Sequence, residues 1–151
     1  MPWAEFTGWF RAPQTTTWDR WPAHGGRLER CWPALDDWKA RIGLVSPELQ
    51  ARYAATGCTV EQIVASGFHA SIGLNEWPTA VELRRVRREL RAWGLADLAA
   101  RQARELSYGQ LRLALVARAF LRSRRLWLLD EPFDGLDADA RQRFRARMDG
   151  A

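Results

Sequence analysis

From Arg41 onward the apolar residues fall into short runs and helical stripes, whereas the first forty residues keep neither period for long. Ile42-Gly43-Leu44-Val45 is an apolar run bounded by Pro47 and predicts a short buried strand. Thr59 with Gln62 three residues on forms a capping-box pattern, so a short helix is expected through about Ser66, and Gly67 and Gly73 bracket a loop. Thr79 with Glu82 repeats that pattern. Leu83, Val86, Leu90 and Trp93 then recur at helical spacing, with Gly94 as the stop. A further short helix is expected over Ala96 to Arg104. Ser107 caps a helix with the apolar stripe Leu111, Leu115, Ala119 and Phe120, ending near Ser123. Leu126-Trp127-Leu128-Leu129 predicts a strand buried on both faces, as in a parallel sheet covered by helices on each side. Asp139 is the expected cap of a last helix carrying Ala140, Phe144 and Met148 on one side.

Composition changes this picture in two places. Six of the nine tryptophans, Trp3, Trp9, Trp18, Trp21, Trp32 and Trp38, crowd the first forty residues together with Pro2, Pro13, Pro22, Pro33 and the Gly25-Gly26 pair, so residues 1–40 read as an irregular segment. The 151 residues suit one domain, with 47% hydrophobic and 27% charged side chains typical of a soluble globular protein. The net charge of +5 rests almost wholly on arginine, Lys39 being the sole lysine. The densest run, Arg84, Arg85, Arg87, Arg88 and Arg91, falls opposite the Leu83–Trp93 stripe and reads as a solvated helix face, so no nucleic-acid partner is expected. Cys31 and Cys58 lack ligand-like spacing and read as ordinary thiols. No run approaches a membrane span and no leader pattern is read at the start, so a cytoplasmic protein is expected.

Two segments carry chemistry. Asp130 and Glu131 end the second apolar run, where open parallel sheets hold ligands beyond their strand ends. One carboxylate there can hold Mg²⁺, and its neighbour can orient or deprotonate a water aimed at a phosphate. The second segment, Leu106-Ser107-Tyr108-Gly109-Gln110, opens a helix with a hydroxyl, a glycine and free N–H groups, a combination suited to an anion. Each alone is weak evidence, since serine caps and acidic turns are common.

In this order, Leu106–Gln110, the helix after it, Leu126–Pro132 and Gly135-Leu136-Asp137 resemble the signature sequence, Walker B strand and D-loop of the ATP-binding cassette (ABC) ATPases. The Leu-Ser-aromatic-Gly-Gln wording and Ile42–Leu49 are most similar to the cassettes of molybdate transport and photorepair. The resemblance covers about residues 41–148 and implies an α/β fold, a partial P-loop NTPase parallel sheet with a helical subdomain over 47–105, truncated at both ends. It implies that Ser107, Tyr108, Gly109 and Gln110 approach the γ-phosphate of an ATP held by a partner domain. It likewise implies that Asp130 positions Mg²⁺, that Glu131 is the base for the attacking water, and that Asp137 reaches across the dimer interface. Tyr108 departs from the usual glycine. The glutamine that normally follows the Ile42–Val45 segment falls at Pro47, with Gln50 three residues later, and this assignment stays open.

The family's phosphate loop, Gly-x-x-x-x-Gly-Lys followed by Ser or Thr, has no counterpart, because Lys39 stands between Trp38 and Ala40. Both histidines, His24 and His69, precede Asp130, so the switch histidine has none either. The expected protein is therefore a partial ABC-type ATPase, an ATP-binding and hydrolysis subunit of a transporter-like system that is inactive alone. The alternative is a non-enzymatic module that completes the ATP site of a partner cassette in trans. Expected partners are a second ABC ATPase domain and a membrane permease, at the inner face of the membrane. With the strand leading into a phosphate loop absent, Leu126–Leu129 should expose an edge and leave the monomer marginally stable.

Overall fold

A computed structural model describes residues 41–122 and 126–149 of the chain. The irregular segment expected over residues 1–40, the expected helix end at Ser123 and the last two residues lie outside the described part.

The order is strand β1 (Ile42–Val45), helices α1 (Pro47–Ala54), α2 (Val60–Ala65) and α3 (Ala80–Trp93), then α4 (Tyr108–Phe120), strand β2 (Leu126–Leu129) and α5 (Ala138–Asp149). The two strands pair in parallel, Ile42 opposite Leu126 and Val45 opposite Leu129, and the Asp130 N–H extends the ladder to the Val45 carbonyl at 2.9 Å. Gly43 stands opposite Trp127, and a Cβ there would lie 2.7 Å from the indole Cδ1. Glycine is what lets that ring lie over the strand and stack on Phe120, with centroids 5.5 Å apart.

The local signals set the helix starts. Ser46 accepts from the Leu49 N–H, with Pro47 at the first helical position of α1. Thr59 with Gln62, Thr79 with Glu82 and Ser107 with Gln110 each close a full capping box. Gly94 ends α3 in the left-handed conformation at φ 71°, as its position after the Leu83–Trp93 stripe predicted. That stripe faces inward at Val86, Leu90 and Trp93, and all five arginines of the run are exposed.

Four expectations need correction. The helix foreseen over Ala96 to Arg104 is two isolated 3₁₀ turns, Ala96–Leu98 and Ala103–Glu105. Between them the backbone is drawn out as a partner for residues 58–60, with Val60 N–H bonded to the Arg101 carbonyl and Ala103 N–H to the Cys58 carbonyl. The apolar stripe of α4 is too narrow a description, because every residue from Leu111 to Phe120 is buried. This helix lies against α2, α3 and β1 together, so it has no solvated face over that span. Strand β2 is not buried on both faces: Trp127 and Leu129 pack on the core while Leu126 and Leu128 are 47% and 42% exposed. Among the described residues, helices cover the side that carries Val45, Trp127 and Leu129, and the other side is more exposed at Leu126 and Leu128 than at half-buried Leu44. Lastly, α5 is capped by Asp137, whose Oδ1 accepts from the Ala140 N–H at 2.7 Å, and not by Asp139, which lies inside the first turn.

The core is held by α4 and an aromatic group at its C-terminal end, where Phe144 of α5 meets Phe120, Trp93 and Phe133 at 4.9–6.3 Å between centroids. Burying each such side chain contributes roughly 1.5–3 kcal/mol. Two bonds lock α5 in place: Arg143 donates to the Trp93 carbonyl at 2.8 Å, and Arg147 pairs with buried Glu89 at 2.6 Å. In the last turn of α4, Arg118 donates to Ser66 Oγ and the Ser71 carbonyl beside Tyr53, fixing the loop after α2 to the helix.

Candidate nucleotide-binding face

The antiparallel course of α4 and β2 brings the start of the helix to the end of the strand, and with them the two segments that carry chemistry. Gly109 and Gly135 touch backbone to backbone: a Cβ on Gly109 would collide with the Gly135 carbonyl, and one on Gly135 would lie 2.6 Å from the Tyr108 ring. Gly135 has φ 69°, so both space and conformation require glycine there.

On the helix side, Ser107 Oγ accepts from the Gln110 N–H at 3.2 Å and Gln110 Oε1 accepts from the Ser107 N–H at 3.0 Å. The capping box uses one lone pair of the serine and the amide oxygen of the glutamine. It leaves the serine O–H and the glutamine NH₂ as donors, beside the Tyr108 and Gly109 N–H groups that the first turn of a helix cannot satisfy internally. Ser107 is exposed and Gly109 and Gln110 are half-buried, so these donors are open to an anion approaching from outside.

On the strand side, Asp130, Glu131 and Asp137 are all exposed. Glu131 has φ 48°, a left-handed conformation unusual for a side chain with a Cβ. It opens a tight turn in which the Asp134 N–H bonds to the Glu131 carbonyl and the Leu136 N–H to the Phe133 carbonyl. Asp137 Oδ1 accepts in the α5 cap, and the residue is exposed. Among the described residues no three of His, Cys, Asp and Glu assemble as a metal-holding group. A single exposed carboxylate nevertheless fits Mg²⁺, which keeps several waters and takes its remaining oxygens from phosphates.

One residue at this face, Arg112, was not singled out by pattern. Arg112 is fully buried in α4; its Nη2 donates to the Tyr108 hydroxyl at 2.6 Å and its Nη1 approaches the Asp130 carbonyl at 3.5 Å. The signal was a charged residue one helical turn after Tyr108, among the apolar residues Leu111 to Ala117. Arg118 repeats that signal away from this face, toward the loop after α2. Gln50, left open against Pro47, is buried and its Nε2 donates to the Tyr108 carbonyl at 3.0 Å, with Oε1 lacking a partner among the described residues. No helix of the described residues is long and apolar enough to cross a membrane.

Residues 20–134 match the ABC transporter family. An uncharacterized ABC transporter ATP-binding protein of Bacillus subtilis, YlmA, is 38% identical over 105 residues, covering 70% of this chain and 39% of its own length. The ABC transporter ATP-binding protein ModF of Escherichia coli is 34% identical over 125 residues, 82% of this chain and 25% of ModF. Among solved structures, a metal-chelate-type ABC transporter in an inward-facing conformation superposes with a TM-score of 0.53 at 29% identity, over 72% of this chain and 42% of that one. The chain thus spans well under half the length of these relatives. With the signature-like turn, the parallel strand pair and these matches in agreement, the chain belongs to the ABC transporter family, as part of an α/β ATP-binding domain.

Proposed function

We propose that this chain supplies the signature face of an ABC-type ATP site and does not hydrolyse ATP alone. The observation that carries the reading is the exposed cluster of Ser107 O–H, the Tyr108 and Gly109 N–H groups and the Gln110 amide at the start of α4, locked by Gly109 against Gly135. Ser107, Gly109 and Gln110 would contact the γ-phosphate of ATP held by a second ABC ATPase domain, with Tyr108 forming the wall of the turn. Asp130 would hold Mg²⁺, Glu131 would take the proton of the attacking water, and the exposed Asp137 would meet the second domain. Mg²⁺ supplies charge neutralisation at the phosphates. The chain's own contribution is positioning, and this sequence contains no Gly-x-x-x-x-Gly-Lys segment to cradle a nucleotide by itself. A membrane permease completes the proposed assembly, as in a transporter, with the chain on the cytoplasmic side.

Calorimetry with Mg-ATP, with and without the full-length Bacillus relative, tests this. The chain alone should release no binding heat, while ATP should drive its association with the relative. Ser107→Ala should weaken that association by roughly 1.5–3 kcal/mol, the worth of a hydrogen bond to a charged group. Tight nucleotide binding by the chain alone overturns the reading.

A further inference from the structure

Two arginines of the described part are buried, Arg112 and Arg118; Arg118 has its guanidinium bonded to Ser66 and the Ser71 carbonyl, whereas Arg112 leaves a nitrogen without an acceptor. Arg112 is fully buried, it faces no carboxylate among the described residues, and its Nε has no acceptor there. Removing a guanidinium from water without a counter-charge is costly, and an apolar residue of similar volume usually serves stability as well or better. The group is nonetheless aimed at two specific points: the Tyr108 hydroxyl at 2.6 Å, in the signature turn, and the Asp130 carbonyl at 3.5 Å, at the end of β2. Tyr108 is half exposed, so its hydroxyl could reach water without Arg112. The same turn is held from a second side by Gln50, whose Nε2 donates to the Tyr108 carbonyl, and from a third by the contact of Gly109 with Gly135.

We infer that Arg112 is a positioning residue that ties the signature turn to the end of the Asp130 strand through the Tyr108 hydroxyl. The usual glycine at position 108 has no side chain for such a tie, so the aromatic residue and the buried arginine one turn later act as a pair. The strut fixes where the Ser107 hydroxyl and the Gly109 N–H sit relative to the sheet. Displacing them by a fraction of an ångström weakens contacts made in the transition state more than it weakens nucleotide binding, which the partner's phosphate loop carries. This inference rests on the signature-face reading above.

The test uses the full chain mixed with the full-length Bacillus relative, whose own signature serine is changed to arginine so that hydrolysis depends on Ser107. Unaltered chain should restore ATP hydrolysis. Tyr108→Phe and Arg112→Met should each lower kcat about tenfold and leave KM for ATP within about twofold, and the double variant should fall little further than the worse single, as expected of two residues acting as a unit. Arg112→Lys should recover part of the loss. The thermal midpoint of Arg112→Met should be unchanged or higher, the reverse of what a merely structural arginine would give. If Arg112→Met fails to fold, Tyr108→Phe still decides, because it removes one oxygen from a half-exposed side chain. Restoration by the unaltered chain with full kcat for Tyr108→Phe overturns the strut and spares the signature-face reading. No restoration by the unaltered chain overturns both.

Discussion

Glu131 concentrates the conflict between folding and chemistry at one residue. Its φ of 48° places a side chain with a Cβ where glycine is at ease, and its carboxylate points to solvent with no bond within the described part that would reward the strain. A left-handed conformation costs about 1–2 kcal/mol for such a residue, part of which glycine returns through its greater freedom when unfolded. Glu131→Gly should therefore raise stability to urea by about 0.5–1 kcal/mol, and Glu131→Val should lower it by a similar amount or more, in unfolding followed by circular dichroism. A glutamate that a glycine would outperform is a residue held for something other than stability, in line with the proposed proton-accepting role. Equal stability of all three chains would remove that argument.

Among the elements, α3 has the most independent signals for its limits, and it also carries a pH response. Glu82 accepts from the Thr79 N–H at 2.8 Å and from its hydroxyl at 2.9 Å, and the backbone bond above all holds its carboxyl below the usual glutamate range. A lowered value means the capping carboxylate stabilises fully above the ordinary glutamate range and loses its contribution as pH falls through the folded value. The effect is small because the pair faces solvent. Thr79→Ala should cost about 1 kcal/mol at neutral pH, whereas Glu82→Gln should keep most of the stability but flatten its acid slope, both read from unfolding midpoints at stepped pH. Caps of this kind were legible because they are local: a hydroxyl, three residues and a carboxamide or carboxylate define them. The Ala96–Arg104 segment was misread because its backbone partners, Cys58 and Val60, lie some forty residues away and leave no trace in its own pattern. The width of the α4 burial was missed for the same reason, since periodicity reports one neighbour and this helix has several. At the candidate site the residue types and their order were readable. The Tyr108–Arg112–Asp130 strut was not, because Arg112 is meaningful only once the strand end lies beside it.

At the scale of the molecule, the two-stranded sheet of the described residues is the expected point of weakness. Its covered face carries Gly43, Val45, Trp127 and Leu129 into a core shared with α4, and its other face presents Leu126 and Leu128 to solvent, with one open edge on each strand among the described residues. Parallel strands are seldom stable with a bare apolar face, and open edges beside one invite pairing with another chain. The net charge of +5 opposes association only at long range and is screened within about 8 Å at physiological salt. Full-length chain should therefore self-associate more as salt rises, a trend opposite to that of contacts held by charge. Leu126→Lys combined with Leu128→Lys should suppress this by placing cations on the bare face and edge, at a cost to stability within roughly 0.5 kcal/mol per exposed site. Light scattering against salt concentration, with helical content followed in parallel, separates the possibilities. A monomeric double variant with unchanged helix assigns the association to this face. Association that persists in the folded double variant assigns it elsewhere and counts against the open sheet as the weak point.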